Sequence, residues 1–105
     1  MAHKLTWLGH SAFHLRLGSG EVILFDPWTG NPSAPANFEL DRCDAILVSH
    51  GHSDHVGNTL EIAAKFRPKV VGIYEVYLWL ASKGLENGIG MNKGGTLDLG
   101  FARVT

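Results

Sequence analysis

The chain has 105 residues, of which 45% are hydrophobic and 18% charged, and its formal net charge is −1. That composition describes one small globular domain with a core, and the balanced charge argues against a nucleic-acid or anionic-membrane partner. Cys43 is the one cysteine, so no internal disulfide can form; no stretch approaches the roughly 18 apolar residues of a membrane span, and a cytoplasmic protein is the expectation.

Lys4 to Leu8 is a short apolar-rich strand, interrupted by Gly9-His10-Ser11. Phe13, Leu15 and Leu17 then alternate with His14 and Arg16, the period of a half-buried strand. That period places His14 on the solvated face. Gly18-Ser19-Gly20 is turn material and Glu21 to Phe25 is another strand, which predicts an antiparallel meander. Asp26-Pro27 ends it, because proline cannot continue a ladder, and Trp28 to Pro35 reads as a surface loop.

Ala45 to Val48 is a continuous apolar run, as a buried strand requires. Asn58 and Glu61 have capping-box spacing for a helix through Leu60, Ala63, Ala64 and Phe66, which Pro68 terminates. Lys69 to Ile73 predicts a short strand, and Tyr74 to Lys83 a second helix stopped by Gly84. Gly88 to Gly95 reads as a glycine-rich loop, and Thr96 to Val104 as two short strands or one broken one. Tyr74, Tyr77 and Trp79 are expected to serve helix packing. Cys43, with no base beside it, is expected to be structural, and His3 is given no role. Strands first, then β-α-β-α-β, spell an α/β layered architecture. The chain stops at Thr105 within a strand-like stretch, so residues 1–105 are expected to be a single domain cut from something longer.

The chemistry concentrates in Ser49-His50-Gly51-His52-Ser53-Asp54-His55, directly after the apolar run. At the chain's own His and Asp frequencies, this H-x-H-x-D-H pattern would arise by chance in about one such chain in a thousand. Coincidence is therefore set aside. Imidazole nitrogen and carboxylate oxygen both suit a borderline cation such as Zn²⁺. His50 and His52, two apart on an extended segment, point the same way and can grip one ion, while Asp54 and His55 swing toward a second position as the chain turns into a helix. His10, in its loop, could approach this edge or be hydrogen-bonded locally. Asp26 could orient a ligand histidine, or form an ordinary Asp-Pro turn. Asn92, beside Gly94 and Gly95, could line a substrate cleft or belong to a bland loop.

The motif SHGHSDH, with Asp26 closing a strand upstream, resembles the metallo-β-lactamase fold superfamily. Trp7-Leu8-Gly9-His10-Ser11-Ala12-Phe13, Phe25-Asp26-Pro27-Trp28, Asp54-His55-Val56-Gly57-Asn58 and Met91-Asn92-Lys93-Gly94-Gly95-Thr96 narrow the likeness. Together they are similar to uncharacterised metal-dependent hydrolases related to the L-ascorbate-6-phosphate lactonase branch. The resemblance implies a four-layer αββα sandwich, with this chain as its N-terminal half and a dinuclear site at one edge. It implies His50 and His52 as ligands of a first ion and Asp54 and His55 as ligands of a second, with Asp54 also orienting the attacking water. The ions would be divalent, Zn²⁺ first, with Mn²⁺ or Fe²⁺ as alternatives; they bring water toward ionisation and stabilise the charge that develops on the substrate. Family members supply further ligands later in the chain, whereas no histidine follows His55 here.

Two functions then compete. One is a metal-dependent hydrolase, or its N-terminal portion, acting on a small ester, lactone or phosphodiester. The other is a non-catalytic metal-binding module that self-associates, or recruits a complementing C-terminal half, through an exposed apolar face. Nucleic-acid processing is disfavoured by the balanced charge.

Overall fold

The computed structural model describes residues 2–105. Six strands, β1 (Lys4–Trp7), β2 (Phe13–Arg16), β3 (Val22–Phe25), β4 (Ala45–Leu47), β5 (Lys69–Ile73) and β6 (Gly88–Met91), form one sheet in sequence order. The first three pair antiparallel, with Trp7 opposite Phe13 and Phe13 opposite Phe25; the remaining pairings, β3 to β6, are parallel. The meander is as the alternation predicts. Helices α1 (Ser53–Val56) and α2 (Thr59–Phe66) lie in the β4–β5 crossover and α3 (Tyr74–Ser82) in the β5–β6 crossover, the β3–β4 crossover is irregular, and a hairpin of β7 (Leu97–Asp98) and β8 (Arg103–Val104) ends the chain.

Both faces of the sheet are covered. Leu24, Ile46 and Val70 face Val56, Ala63, Val76 and Leu80 of the helices, while Ile23, Ala45 and Val71 face Leu97, Leu99, Phe101 and Val104 of the hairpin segment. Successive residues of one strand thus enter different cores, which is why the central strands read as unbroken apolar runs. Helices, a six-stranded sheet and a two-stranded one against its other face are the layers expected of half an αββα sandwich. The hairpin side is incomplete at the β1 edge. There Leu5 and Trp7, opposite Leu15 and Phe13 in the register, remain 62% and 56% exposed. Among the described residues no helix is long and apolar enough to cross a membrane.

Four expectations fail in whole or in part, for identifiable reasons. His14 is buried, not solvated: its strand alternates as predicted, but its face lies in the helical-side layer, where the ring meets Phe38 edge-on at 5.4 Å. Burial, and then the Arg16 charge, push its pKa below the usual 6.5. Gly88 to Met91 is a strand, not a loop, paired with Val70 to Ile73; only the following turn at residues 92–95 is irregular. Asn58 makes no side-chain cap for α2. Its Oδ1 instead accepts hydrogen bonds from Thr29 N, Thr29 Oγ1 and Gly30 N, tying down the loop after β3, while its Nδ2 donates to Glu61 Oε1 at 3.2 Å. That loop is also not wholly superficial, because Asn31 is buried and donates to Leu8 O and Trp28 O.

Candidate metal centre

Because β3 and β4 are parallel, their C-terminal ends open onto the same edge of the sheet, where ligands gather in such folds. Asp26 leaves β3 with φ +42, a left-handed conformation uncommon outside glycine. The turn is held by Asp26 N donating to Leu47 O at 3.0 Å and Trp28 N donating to Asp26 O at 2.7 Å. The side chain is thereby turned under the motif and buried. Ser49 N donates to its Oδ1 at 2.6 Å, and Ser49 Oγ donates to Oδ2. His55 Nδ1 lies 2.8 Å from the same Oδ2. A single buried carboxylate thus joins the exits of β3 and β4 to α1.

These bonds assign the imidazole protons. A carboxylate oxygen that accepts from His55 requires the proton on Nδ1, and in the neutral ring that leaves the Nε2 lone pair bare. The Ser49 hydroxyl has one hydrogen, already given to Asp26. Its 2.8 Å contact with His50 Nδ1 therefore requires Nδ1–H on His50 as well, and a bare Nε2 there too. That His50 Nε2 stands 3.1 Å from His52 Nδ1. Two nitrogens on one tetrahedral Zn²⁺ would be about 3.3 Å apart, given Zn–N near 2.0–2.1 Å. The donor set and its spacing fit a divalent cation.

Asp54 and His55 lie on α1, which begins immediately after His52. Asp54 Oδ2 is 3.3 Å from His10 Nε2, and Asp54 Oδ1 is 3.8 Å from His55 Nε2. Two groups each offer three donor atoms mutually within 4.8 Å: His10, Asp54 and His55, and Asp26, His50 and His55. The imidazoles crowd one another, with ring centroids 4.0 Å apart for His50 and His55 and 4.7 Å for His50 and His52. Gly57 closes α1 with φ +49, where a Cβ would stand 2.3 Å from Trp28 Cα, so helix end and loop meet backbone to backbone.

His50, His52, Asp54 and His55 lie at one edge of the sheet, with His10 and Asp26 beside them. His52 joins neither three-donor group, and its contact is with His50. Asn92 is exposed beyond β6 and lines, with Asp26 and Ser49, a cavity of about 270 Å³. His3 Nδ1 accepts from Gly18 N at 2.9 Å, away from the cluster. Of the helix aromatics, Tyr77 is half-buried, whereas Tyr74 and Trp79 are about half exposed at 52% and 48%. Packing is therefore not their whole account. Ser49 was not expected at the centre; its place directly before the first motif histidine was the available signal.

The profile of the metallo-beta-lactamase superfamily matches residues 5–102, and the chain belongs to that superfamily. Among its relatives is a UPF0173 metal-dependent hydrolase of Solibacter usitatus, 47% identical over 103 residues, covering 97% of this chain and 45% of the relative. A UPF0173 metal-dependent hydrolase of Caldivirga maquilingensis is 50% identical over 97 residues, covering 90% of this chain and 42% of that protein. Igni18, a metallo hydrolase from the hyperthermophilic archaeon Ignicoccus hospitalis, superposes with a TM-score of 0.81 at 39% identity, covering 92% of this chain and 42% of that one. The chain spans less than half the length of these relatives.

Proposed function

We propose that this chain supplies the metal-binding part of a hydrolase acting on a small ester, lactone or phosphodiester. The observation that carries the reading is the pair of contacts that turns Nδ1 of His50 and of His55 away from the cluster, to Ser49 and Asp26. Asp26 and Ser49 fix Nδ1–H on both His50 and His55, which leaves two bare Nε2 atoms beside His52 Nδ1 and the Asp54 carboxylate. Such outer hydrogen bonding is what orients and strengthens imidazole ligands. His50 and His52 would hold one ion, Asp54 and His55 a second, with Zn²⁺ best suited to the donors and Mn²⁺ or Fe²⁺ as alternatives. A bound cation supplies the Lewis acidity that brings water toward ionisation and offsets charge on the substrate oxygen. Asp54, more exposed than Asp26, accepts a hydrogen from the attacking water and aims it. Asp26, its oxygens already engaged, orients and does not ligate. The lone cysteine is buried, in keeping with a reducing cytoplasm.

Elemental analysis of the purified chain, with a screen of ester, lactone and phosphodiester substrates, tests this. Bound metal with turnover that disappears in His52→Ala supports the hydrolase. Absence of bound metal after loading overturns it.

A second reading rests on Leu5 and Trp7, whose exposure on the hairpin side of the sheet leaves an apolar strip at the β1 edge. On that reading the chain is a metal-binding module that self-associates, or takes up a complementing C-terminal half, through this strip. Metal without turnover, together with a concentration-dependent dimer in sedimentation, favours it.

A further inference from the structure

We propose that His10 is a metal ligand, so that His10, Asp54 and His55 form a three-donor cation site complete within this chain. The inference rests on the reading of Asp54 and His55 as ligands and adds a donor from a loop 44 residues upstream of Asp54 in the sequence numbering.

The geometry comes from both sides. His55 Nδ1 is committed to Asp26, so its bare Nε2 is the atom turned toward Asp54, 3.8 Å from Oδ1. From the opposite side His10 Nε2 approaches Oδ2 of the same carboxylate at 3.3 Å. The three donors lie within 4.8 Å of one another. Two imidazoles and one carboxylate are a known donor set for Zn²⁺ and non-haem iron, and three ligands leave a position open for water.

The His10 ring is located, although the residue is exposed. Its edge-to-face contacts set it 5.2 Å from the Trp28 ring centroid and 5.3 Å from that of His55. Its backbone takes φ +53, unfavourable for a residue with a Cβ, and Trp7 Nε1 donates to His10 O at 2.8 Å. Three non-glycine residues among those described have positive φ. Arg67 merely ends a helix, and the other two, His10 and Asp26, are at this centre. Unfavourable backbone geometry of this kind gathers at functional sites. The rival account is a solvent-exposed His10–Asp54 ion pair, an interaction that contributes little and would not need a strained residue to make it.

The test isolates the site by removing the other pair of histidines. The double variant His50→Ala/His52→Ala should still bind one equivalent of Zn²⁺, measured by competition with a chromophoric chelator. Adding His10→Asn removes a ligand and should weaken that binding by more than about 100-fold, beyond what losing only an outer partner costs. Asparagine tolerates the positive φ, and His10→Phe, which keeps a ring against Trp28, serves as a second replacement; circular dichroism confirms folding. X-ray absorption of the Zn²⁺-loaded double variant should show two imidazoles per ion, and one after His10 is replaced. Binding within threefold of the double variant, or an unchanged imidazole count, overturns the proposal. A double variant that binds no ion while the unaltered chain does also overturns it, and leaves the hydrolase reading standing. No binding by the unaltered chain sinks both.

Discussion

Asp26 and His55 are 29 residues apart in sequence, yet Oδ2 of one lies 2.8 Å from Nδ1 of the other. The carboxylate fixes both the tautomer and the orientation of the ring. Asp26→Asn preserves tolerance of the left-handed backbone but removes the charge and weakens the acceptor. Zn²⁺ affinity should fall about 10- to 100-fold, the range found when a ligand histidine loses its outer partner. Isothermal titration of the two proteins checks it.

His14 predicts an acid sensitivity unrelated to metal. Its Nδ1 is buried without a hydrogen-bond partner, and burial lowers its folded-state pKa below 6.5. As pH falls through 6.5 the unfolded chain takes up a proton that the folded chain refuses, so stability drops from there toward the folded-state value. Above 6.5 both states are neutral and the penalty vanishes. His14→Leu should therefore lose less stability than the parent between pH 7.5 and pH 5, as followed by urea denaturation at each pH.

Cys43 should be chemically silent in the native chain. Burial, reinforced by the neighbouring Asp44 charge, pushes its thiol from 9.0 up to about 12. The thiolate fraction at pH 8 is then roughly a thousandfold below that of an ordinary cysteine. A thiol-reactive disulfide reagent should label it only as fast as the chain opens, and rapidly once denaturant is added.

Gly57→Ala should destabilise the chain by about 3 kcal/mol or more. The substitution combines a backbone conformation that alanine resists with a collision against Trp28. Chemical denaturation reads the loss. Since Trp28 also contacts His10, the mutant's remaining folded fraction should bind Zn²⁺ more weakly as well.

Much of this centre is legible in the linear sequence, because the motif residues are contiguous and follow a strand whose end is predictable. The alternation of Phe13, Leu15 and Leu17 correctly gives the meander, yet it misplaces His14. Periodicity reports that two faces differ, not that one of them meets water, and here both are covered. Gly88 and Gly90 read as loop because glycine weakens strands. In the fold they make room for a helix: a Cβ at Gly88 would fall 2.7 Å from Tyr77 Cδ1, and one at Gly90 3.2 Å from Tyr74 Cδ1. Asn58 has the spacing of a cap, but a loop 28 residues upstream competes for its oxygen and takes it. Such contests between distant segments leave no local trace.

The clamp around Asp26 joins two distant stretches of polypeptide, position 26 and the motif segment at positions 49 to 55. In an unravelled chain the motif histidines stay near one another but lack the Asp26 carboxylate that orients them, so a cation would be held less well there. An ion that prefers the folded arrangement would stabilise it, so loading would show in the melting curve as well as in the binding isotherm. Metal removal would then cost the chain part of its resistance to unfolding in addition to its site.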